Sequence, residues 1–330
     1  MHRKHLLFVA LLLMFALTLA ACGGAAGEPG PEGPQGPAGP QGEAGTTGCV
    51  DCHNETTAIF AANQQWAISN HGSGFSWSYA GARTMCAGCH SHEAFVELIE
   101  AGTAPNAGET APAVPSNANC RTCHQIHDTY AAEDWALTTT EAVVLFALED
   151  ATFDGGKGNL CTNCHQPMSA IAAADGEGNI EVTSTHWGPH HGPQSAMLLG
   201  LGGAGEVVGS ASAHSSMVED TCVSCHISNL DHTFEPVVAA CTGCHADAED
   251  FDINGLQTEV QALLDELLVL LEEAEMYHDG HPVEGTYEAA KSQALWNYIF
   301  IANEDASLGV HNPSYTKALL EASIAAFSTE

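Results

Sequence analysis

The C-terminal third of the chain has the clearest hydrophobic periodicity. Apolar residues recur at steps of three and four inside an acidic segment that ends near Met276, which predicts an amphipathic helix along Leu256, Val260, Leu263, Leu264, Leu267, Leu268 and Leu271. A second helix is predicted over residues 286–304, with apolar positions at Tyr287, Ala290, Ala294, Trp296, Ile299 and Ile301. Asn312 and Pro313 predict the N-cap and first residue of a third helix, which presents Leu319, Leu320, Ile324 and Phe327 on one side. These stripes fit either an intramolecular core or a helical dimer interface.

The preceding two hundred or so residues lack such periodicity. Clusters of Gly, Pro, Asn and Ser, as in 102–119 and 175–178, predict short helices joined by irregular loops. The expected fold is therefore mainly α with extensive irregular loops, followed by a C-terminal helical hairpin or bundle.

The N-terminus has the pattern of a targeting segment. Arg3 and Lys4 precede an apolar run over residues 6–21, which is too short for a spanning helix and predicts a signal peptide at residues 1–21. Residues 19–23, Leu-Ala-Ala-Cys-Gly, resemble the lipobox of bacterial lipoproteins, which implies that Cys22 becomes the lipidated first residue and a membrane anchor. The alternative is an ordinary secreted protein with a spare thiol.

A glycine-periodic segment follows. Glycine occupies every third position from Gly24 to the triplet ending at Thr47, a collagen-like pattern that predicts a stiff tether of about 70 Å over residues 22–48. Trimerisation through a collagen triple helix is the alternative. Beyond it, residues 49–250 and 251–330 are expected to form two successive regions.

Charge limits the classes of partner. The chain has 41 acidic and 7 basic residues and a formal net charge of −34. Such a surface repels nucleic acid and anionic lipid headgroups, and it suits a basic redox partner or a cationic mineral surface. Good solubility alone would explain the charge equally well.

Six motifs in residues 49–250 share one pattern, CxxCH. They are Cys49-Cys52-His53, Cys86-Cys89-His90, Cys120-Cys123-His124, Cys161-Cys164-His165, Cys222-Cys225-His226 and Cys241-Cys244-His245. This pattern attaches a c-type haem through two thioether bonds, and the adjacent histidine binds the iron. Zinc knuckles or disulfides would account for the cysteines but not for a histidine after each pair. We therefore predict six covalently bound haems. With only about 33 residues for each, the haems themselves must form the core.

The second axial ligand of each iron decides between electron transfer and catalysis. An iron with a side chain on both faces only passes electrons, whereas an open face binds substrate. Eleven histidines lie outside the signal peptide and the CxxCH motifs, enough for six bis-histidine haems: His71, His92, His127, His186, His190, His191, His214, His232, His278, His281 and His311.

Residues 214–327 resemble the C-terminal part of the multihaem cytochromes that include the ammonia-forming nitrite reductases and the hydroxylamine-oxidising enzymes. The shared features are His214 before Cys222, Asp231-His232 before Cys241, paired helices, and then residues 309–313, Gly-Val-His-Asn-Pro. The resemblance implies that His311 ligates the haem on Cys222 and Cys225, and His214 the haem on Cys241 and Cys244. It also implies that His232 reaches back to an earlier haem.

The other distal ligands are predicted from a second resemblance and by selection among the remaining histidines. Residues 66–71 are similar to an N-terminal segment of the same family, which implies that His71 serves a later haem. We choose His127 and one of His190 and His191 for the last two sites. His92 and His186 are reserves, and His278 and His281 are expected at the bend between helices.

The chain lacks the CxxCK site through which those nitrite reductases bind their catalytic iron. We therefore expect an exported electron-transfer cytochrome, at the cell surface or in the periplasm, whose partners are redox proteins or extracellular acceptors and not nucleic acid. One alternative is an oxidoreductase with one open-site haem that acts on a small nitrogen or sulfur compound. Another is a homo-oligomeric subunit of a conductive filament.

Overall fold

The computed structural model describes residues 53, 58–105, 107–108, 111–190 and 192–328. The predicted signal peptide, Cys22, the collagen-like tether, Cys49, Cys52 and His191 lie outside the described residues.

Residues 58–250 form short helices separated by loops. The helices are α1 Ala58–Ile68, α2 Asn70–Ser73, α3 Ser76–Ala80, α4 Thr84–His90, α5 His92–Glu100, α6 Cys120–Cys123, α7 Gly158–Thr162, α8 Gln194–Leu199, α9 Ala213–Met217 and α10 Cys222–His226. Single 3₁₀ turns lie at Ala132–Trp135, Ser228–Leu230 and Val238–Ala240. The mainly helical fold with extensive loops is therefore confirmed.

Three two-stranded antiparallel sheets are formed by the described residues. They pair β1 Val143–Val144 with β2 Thr152–Phe153, β3 Asn179–Val182 with β6 Gly285–Glu288, and β4 Tyr277–His278 with β5 His281–Pro282. The β3–β6 pair ties a loop of the CxxCH-containing region to the C-terminal helices.

The C-terminal helices enclose the larger apolar core. They are α11 Leu256–Glu273, α12 Ala289–Tyr298 and α13 Pro313–Ala325. From the predicted stripe, the side chains of Val260, Leu264, Leu267 and Leu271 are buried, and they pack with Leu295, Phe300, Leu319 and Leu320. The stripes are thus used in an intramolecular core, to which Val182 and Met197 also contribute.

The predicted start of the second helix, at residue 286, was wrong. Residues 285–288 form strand β6, because Thr286 and Tyr287, both strand-favouring residues, pair with Glu181 and Ile180 of β3. Helix α12 begins only at Ala289 and continues into a π-helical segment, Ile299–Asp305. Such a widened turn often marks a functional position.

The predicted start of the third helix is confirmed. The side chain of Asn312 caps α13 by accepting a hydrogen bond from the Tyr315 amide, and Pro313 follows as its first residue. The Asn312 amide also donates to the carbonyls of Met197 and Ser210, so this cap links α13 to α8 and to the loop that follows it. None of the helices described is both long and apolar enough to cross a membrane.

Candidate haem-binding sites

Local helical turns present most of the CxxCH motifs. The second motif ends α4, the third coincides with α6, and the fifth forms α10. One helical turn brings residues three apart onto the same face, so both cysteines of a motif can reach one porphyrin edge. The fourth motif overlaps the end of α7, and the sixth follows the 3₁₀ turn Val238–Ala240 without a helix of its own. For the first motif, the structure describes His53.

Each CxxCH histidine faces one other histidine across a gap. The six pairs have ring centres 6.0–6.5 Å apart and are His53–His127, His90–His190, His124–His232, His165–His71, His226–His311 and His245–His214. A metal–imidazole nitrogen bond is about 2 Å long, so two imidazoles on opposite faces of one iron have centres about 6 Å apart. The spacing of all six pairs is that of a bis-histidine iron site.

Hydrogen bonds fix the tautomer of several of these imidazoles. Nδ1 donates to a backbone carbonyl at 2.7–2.8 Å in His124, His226, His214 and His232, the acceptors being Trp135, Phe234, Val310 and Leu230 respectively. With the proton on Nδ1, the lone pair of Nε2 is free for a metal. In the fourth site, Nδ1 of His165 lies 3.2 Å from Oε1 of Gln194.

His311 is held by a carboxylate. Its Nδ1 lies 2.7 Å from Oδ1 of Asp305, whose side chain is fully buried. Burial alone would lower the pKa of His311, but the charge of Asp305 and this hydrogen bond outweigh burial and raise that pKa. Asp305 ends the π-helical segment, and its other oxygen accepts from the hydroxyl of Ser307.

Two of the facing histidines have a left-handed backbone, with φ of 74° at His127 and 64° at His190. Asp134 stabilises the first of these turns. Its carboxylate accepts from the backbone amides of His127, Thr129 and Tyr130 at 2.7–3.1 Å. Strained backbone of this kind clusters at functional sites, where surrounding contacts hold it in place.

Contacts between distant segments set the order of the sites. The thiol of Cys89 lies 3.7 Å from the carbonyl oxygen of Asn163, inside the fourth motif, and that of Cys222 lies 3.9 Å from the carbonyl oxygen of Gly158, in the helix α7 that carries Cys161. The second site therefore adjoins the fourth, and the fourth adjoins the fifth. The ring of Phe234 lies near both His71 of the fourth site and His232 of the third, and Nδ1 of His214 in the sixth site donates to the carbonyl of Val310, next to His311 of the fifth. The fourth site is thus next to the second, third and fifth.

Phe234 contacts histidines of three sites, and no sequence pattern predicts this role. Its ring centre lies 4.5 Å from that of His71 and 6.2 Å from that of His232. Its carbonyl accepts the Nδ1 proton of His226. Asp134, Gln194 and Asp305 were also missed, since a carboxylate or amide that supports a ligand has no sequence signature.

Four other histidines lie outside these pairs, namely the two predicted reserves, His92 and His186, and the two predicted bend residues, His278 and His281. His92 is hydrogen-bonded through Nδ1 to the hydroxyl of Thr122. His278 and His281 lie in the β4–β5 hairpin between α11 and α12, at the predicted bend. His186 is exposed, and its ring centre is 6.3 Å from that of His281.

The surface around the CxxCH motifs fits bulky apolar groups. Among the described residues, fifteen large apolar side chains before residue 251 are exposed, among them Phe75, Tyr79 and Met85, whereas Val269 alone is exposed after it. Polypeptide does not cover these side chains, and a porphyrin would. A cavity of about 480 Å³ between α10 and the turn at Val238–Ala240 leaves further room beside the fifth motif. The donor set and the surface therefore both fit haem.

Comparisons with known proteins agree with this chemistry. Residues 40–125, which include the first three motifs, match the family described as cytochrome c7 and related cytochrome c. The chain is also similar in fold to a solved structure titled "Crystal Structure of Outer Cell Wall Cytochrome OcwA", with 22% identity and a TM-score of 0.55. That similarity covers 81% of this chain and 50% of the other, so this chain spans about half its length. No curated protein matches the sequence. The two similarities support a multihaem c-type cytochrome.

Proposed function

We propose that this chain is a hexahaem c-type cytochrome that transfers electrons through six bis-histidine sites. The observation that carries the proposal is the set of six histidine pairs at 6.0–6.5 Å, each with one member from a CxxCH motif. Haem iron supplies one-electron redox chemistry when bound.

The proposed ligands of each iron are the two histidines of one pair. His53, His90, His124, His165, His226 and His245 bind one face, and His127, His190, His232, His71, His311 and His214 bind the other. Occupation of both faces excludes a substrate from the iron, which favours electron transfer over catalysis. Hydrogen bonds that keep the proton on Nδ1 support this assignment, because they leave Nε2 as the donor atom.

The proposed route between sites follows the contacts between neighbouring sites. Cys89 lies against the carbonyl of Asn163 and Cys222 against that of Gly158, which brings the attachment points of the second, fourth and fifth sites together. Short separations favour electron transfer between neighbouring cofactors. The fourth site is the proposed junction, because it adjoins three others, and the fifth continues the route to the sixth.

We further propose that the protein works outside the cytoplasm, anchored by lipid on Cys22 with the tether of residues 22–48 between the anchor and the haem-binding region, residues 49–250. Covalent haem attachment, the signal-like N-terminus and the solved cytochrome of an outer cell wall support this location. Residues 251–330 are proposed as a helical region that supplies His311 to the fifth site.

The test is the spin state of the holoprotein. We expect six haems per chain by the pyridine haemochrome assay, and low-temperature electron paramagnetic resonance that shows low-spin ferric haem throughout. Substitution His71→Ala should convert one haem of the six to high spin, because the fourth site loses a ligand. The matched control is His186→Ala, which removes an exposed histidine outside the six pairs and should leave the spectrum unchanged.

Two results would contradict the proposal. A stoichiometric high-spin signal in the wild-type protein that shifts on addition of nitrite, hydroxylamine or cyanide would indicate an open site and a catalytic role. High-spin haem in the His186→Ala variant, with none in His71→Ala, would overturn the ligand assignment.

A further inference from the structure

We propose that Asp305 lowers the reduction potential of the fifth haem, the one attached at Cys222 and Cys225, and makes this site the low-potential step on the branch from the fourth site to the sixth. This inference rests on the proposed function. Asp305 is a positioning and tuning residue, because it acts on the iron through His311.

The geometry gives Asp305 a single, fixed orientation. One carboxylate oxygen accepts from Nδ1 of His311 at 2.7 Å, and the other accepts from the hydroxyl and the amide of Ser307. The hydroxyl of Ser307 in turn accepts from the backbone amide of His311. Both carboxylate oxygens are therefore occupied by donors, with His311 and Ser307 in one short loop.

Burial strengthens the electrostatic effect of the Asp305 carboxylate on the imidazole of His311. The Asp305 side chain has no exposed surface, whereas that of His311 is 20% exposed. A carboxylate removed from water acts through a lower dielectric constant than one at the surface, so its field at the imidazole is stronger. By drawing the Nδ1 proton toward itself, it raises the electron density on Nε2 and hence the basicity of the ligand.

A more basic axial ligand stabilises ferric over ferrous iron. The negative charge of Asp305 has the same effect, because ferric iron carries one positive charge more than ferrous. Both effects lower the reduction potential. At the sixth and third sites, the acceptor for Nδ1 of His214 or His232 is a neutral backbone carbonyl in place of a carboxylate.

Gln194 connects this residue to the junction site. Its amide nitrogen donates to the carbonyl of Glu304 at 2.9 Å, and its oxygen lies 3.2 Å from Nδ1 of His165. The backbone that carries Asp305 is thus held against the CxxCH histidine of the fourth site. On the cysteine side, Cys222 lies 3.9 Å from the carbonyl oxygen of Gly158 in the helix that carries Cys161, so the carboxylate lies between the fourth and fifth sites.

The test is a spectroelectrochemical titration of the purified holoprotein. In Asp305→Asn, one haem of the six should shift to a higher midpoint potential while the other five keep theirs. Resonance Raman should show a change of the iron–imidazole vibrations in one haem only. The matched control is Glu304→Gln, which removes the same unit charge one residue away and keeps the carboxylate that accepts from Nδ1 of His311. It should produce a clearly smaller shift.

A second variant distinguishes a local effect of Asp305 from misfolding of the Asp305→Asn protein. Ser307→Ala keeps the carboxylate but removes the hydroxyl that orients it, so we expect a shift in the same direction and of smaller size. The inference is overturned if Asp305→Asn leaves all six potentials unchanged, or if Glu304→Gln shifts the same haem equally. Failure of the proposed function would appear differently, as high-spin haem in the wild-type protein before any substitution.

Discussion

Single carboxylates hold two of the paired histidines in place, Asp134 at His127 and Asp305 at His311. Asp134 is nearly buried, and burial would raise its pKa. The hydrogen bonds from the hydroxyl and amide of Thr129 and from the amides of His127 and Tyr130 outweigh that effect and hold its pKa below the usual range. A carboxyl whose pKa is depressed on folding stabilises the fold above its unfolded pKa of about 4, and this contribution is lost as pH falls through the folded value.

Asp134 should therefore determine the acid sensitivity of the first site. We expect Asp134→Asn to weaken the turn at residues 127–130 at every pH, so that the haem facing His127 becomes partly high spin at neutral pH. The wild-type protein should stay low spin until the pH falls below about 4. Optical pH titration of the high-spin band measures this difference. Asp128→Asn, which alters an exposed neighbouring acid, is the control, and an equal effect in both variants would exclude the role of Asp134.

At the scale of single residues, sequence reasoning found the histidines but not their supports. The CxxCH motifs are local patterns, so they were visible without a fold. The distal histidines came from counting and from resemblance, and the structure brings His71, His127, His190, His214, His232 and His311 each opposite a CxxCH histidine. Asp305 and Gln194 could not be predicted, because their role depends on where distant segments meet.

At the scale of elements, α11 depends on one buried face. Leu267 is fully buried in the helical core, whereas Val269 on the same helix is 52% exposed. We expect Leu267→Ala to reduce the free energy of unfolding by about 2–5 kcal/mol, because it removes buried methyl groups and leaves a cavity. Val269→Ala should change it by less than about 0.5 kcal/mol. Denaturant titrations followed by far-ultraviolet circular dichroism compare the two, and equal losses would contradict this packing.

The elements that depend on local sequence were predicted well. The stripe of α11 and the Asn312–Pro313 start of α13 follow from residues a few positions apart. Strand β6 was assigned to a helix because its partner β3 is over a hundred residues earlier in the chain. Thr286 and Tyr287 favour a strand, but the strand forms only by pairing with Asn179–Val182, and no local pattern reveals such a partner.

At the scale of the whole molecule, the described residues form two regions that differ in how far polypeptide buries their apolar side chains. Residues 256–325 bury a continuous hydrophobic cluster, whereas the region around the CxxCH motifs exposes many of its large apolar side chains. The C-terminal helices can thus be stable with polypeptide contacts alone, whereas the earlier region has a smaller buried cluster, formed by Leu145, Phe153, Ala196 and Leu198.

This division predicts the behaviour of the chain made without haem. Limited proteolysis of protein from a host that lacks haem attachment should cleave residues 58–178 first and leave a fragment that contains residues 256–325. Mass spectrometry of the fragments over time identifies the order. The holoprotein is the control and should resist cleavage in both regions. Equal cleavage rates in the two regions of the haem-free chain would contradict the division.

The contacts between distant CxxCH segments have a consequence for how the protein is made. Cys89 lies against the carbonyl of Asn163, and Cys222 against that of Gly158, only once segments far apart in sequence have come together. On the proposed function, an enzyme that attaches haem reaches both thiols of a motif most readily on an open polypeptide. Attachment before closure of the fold is then the expected order of biosynthesis.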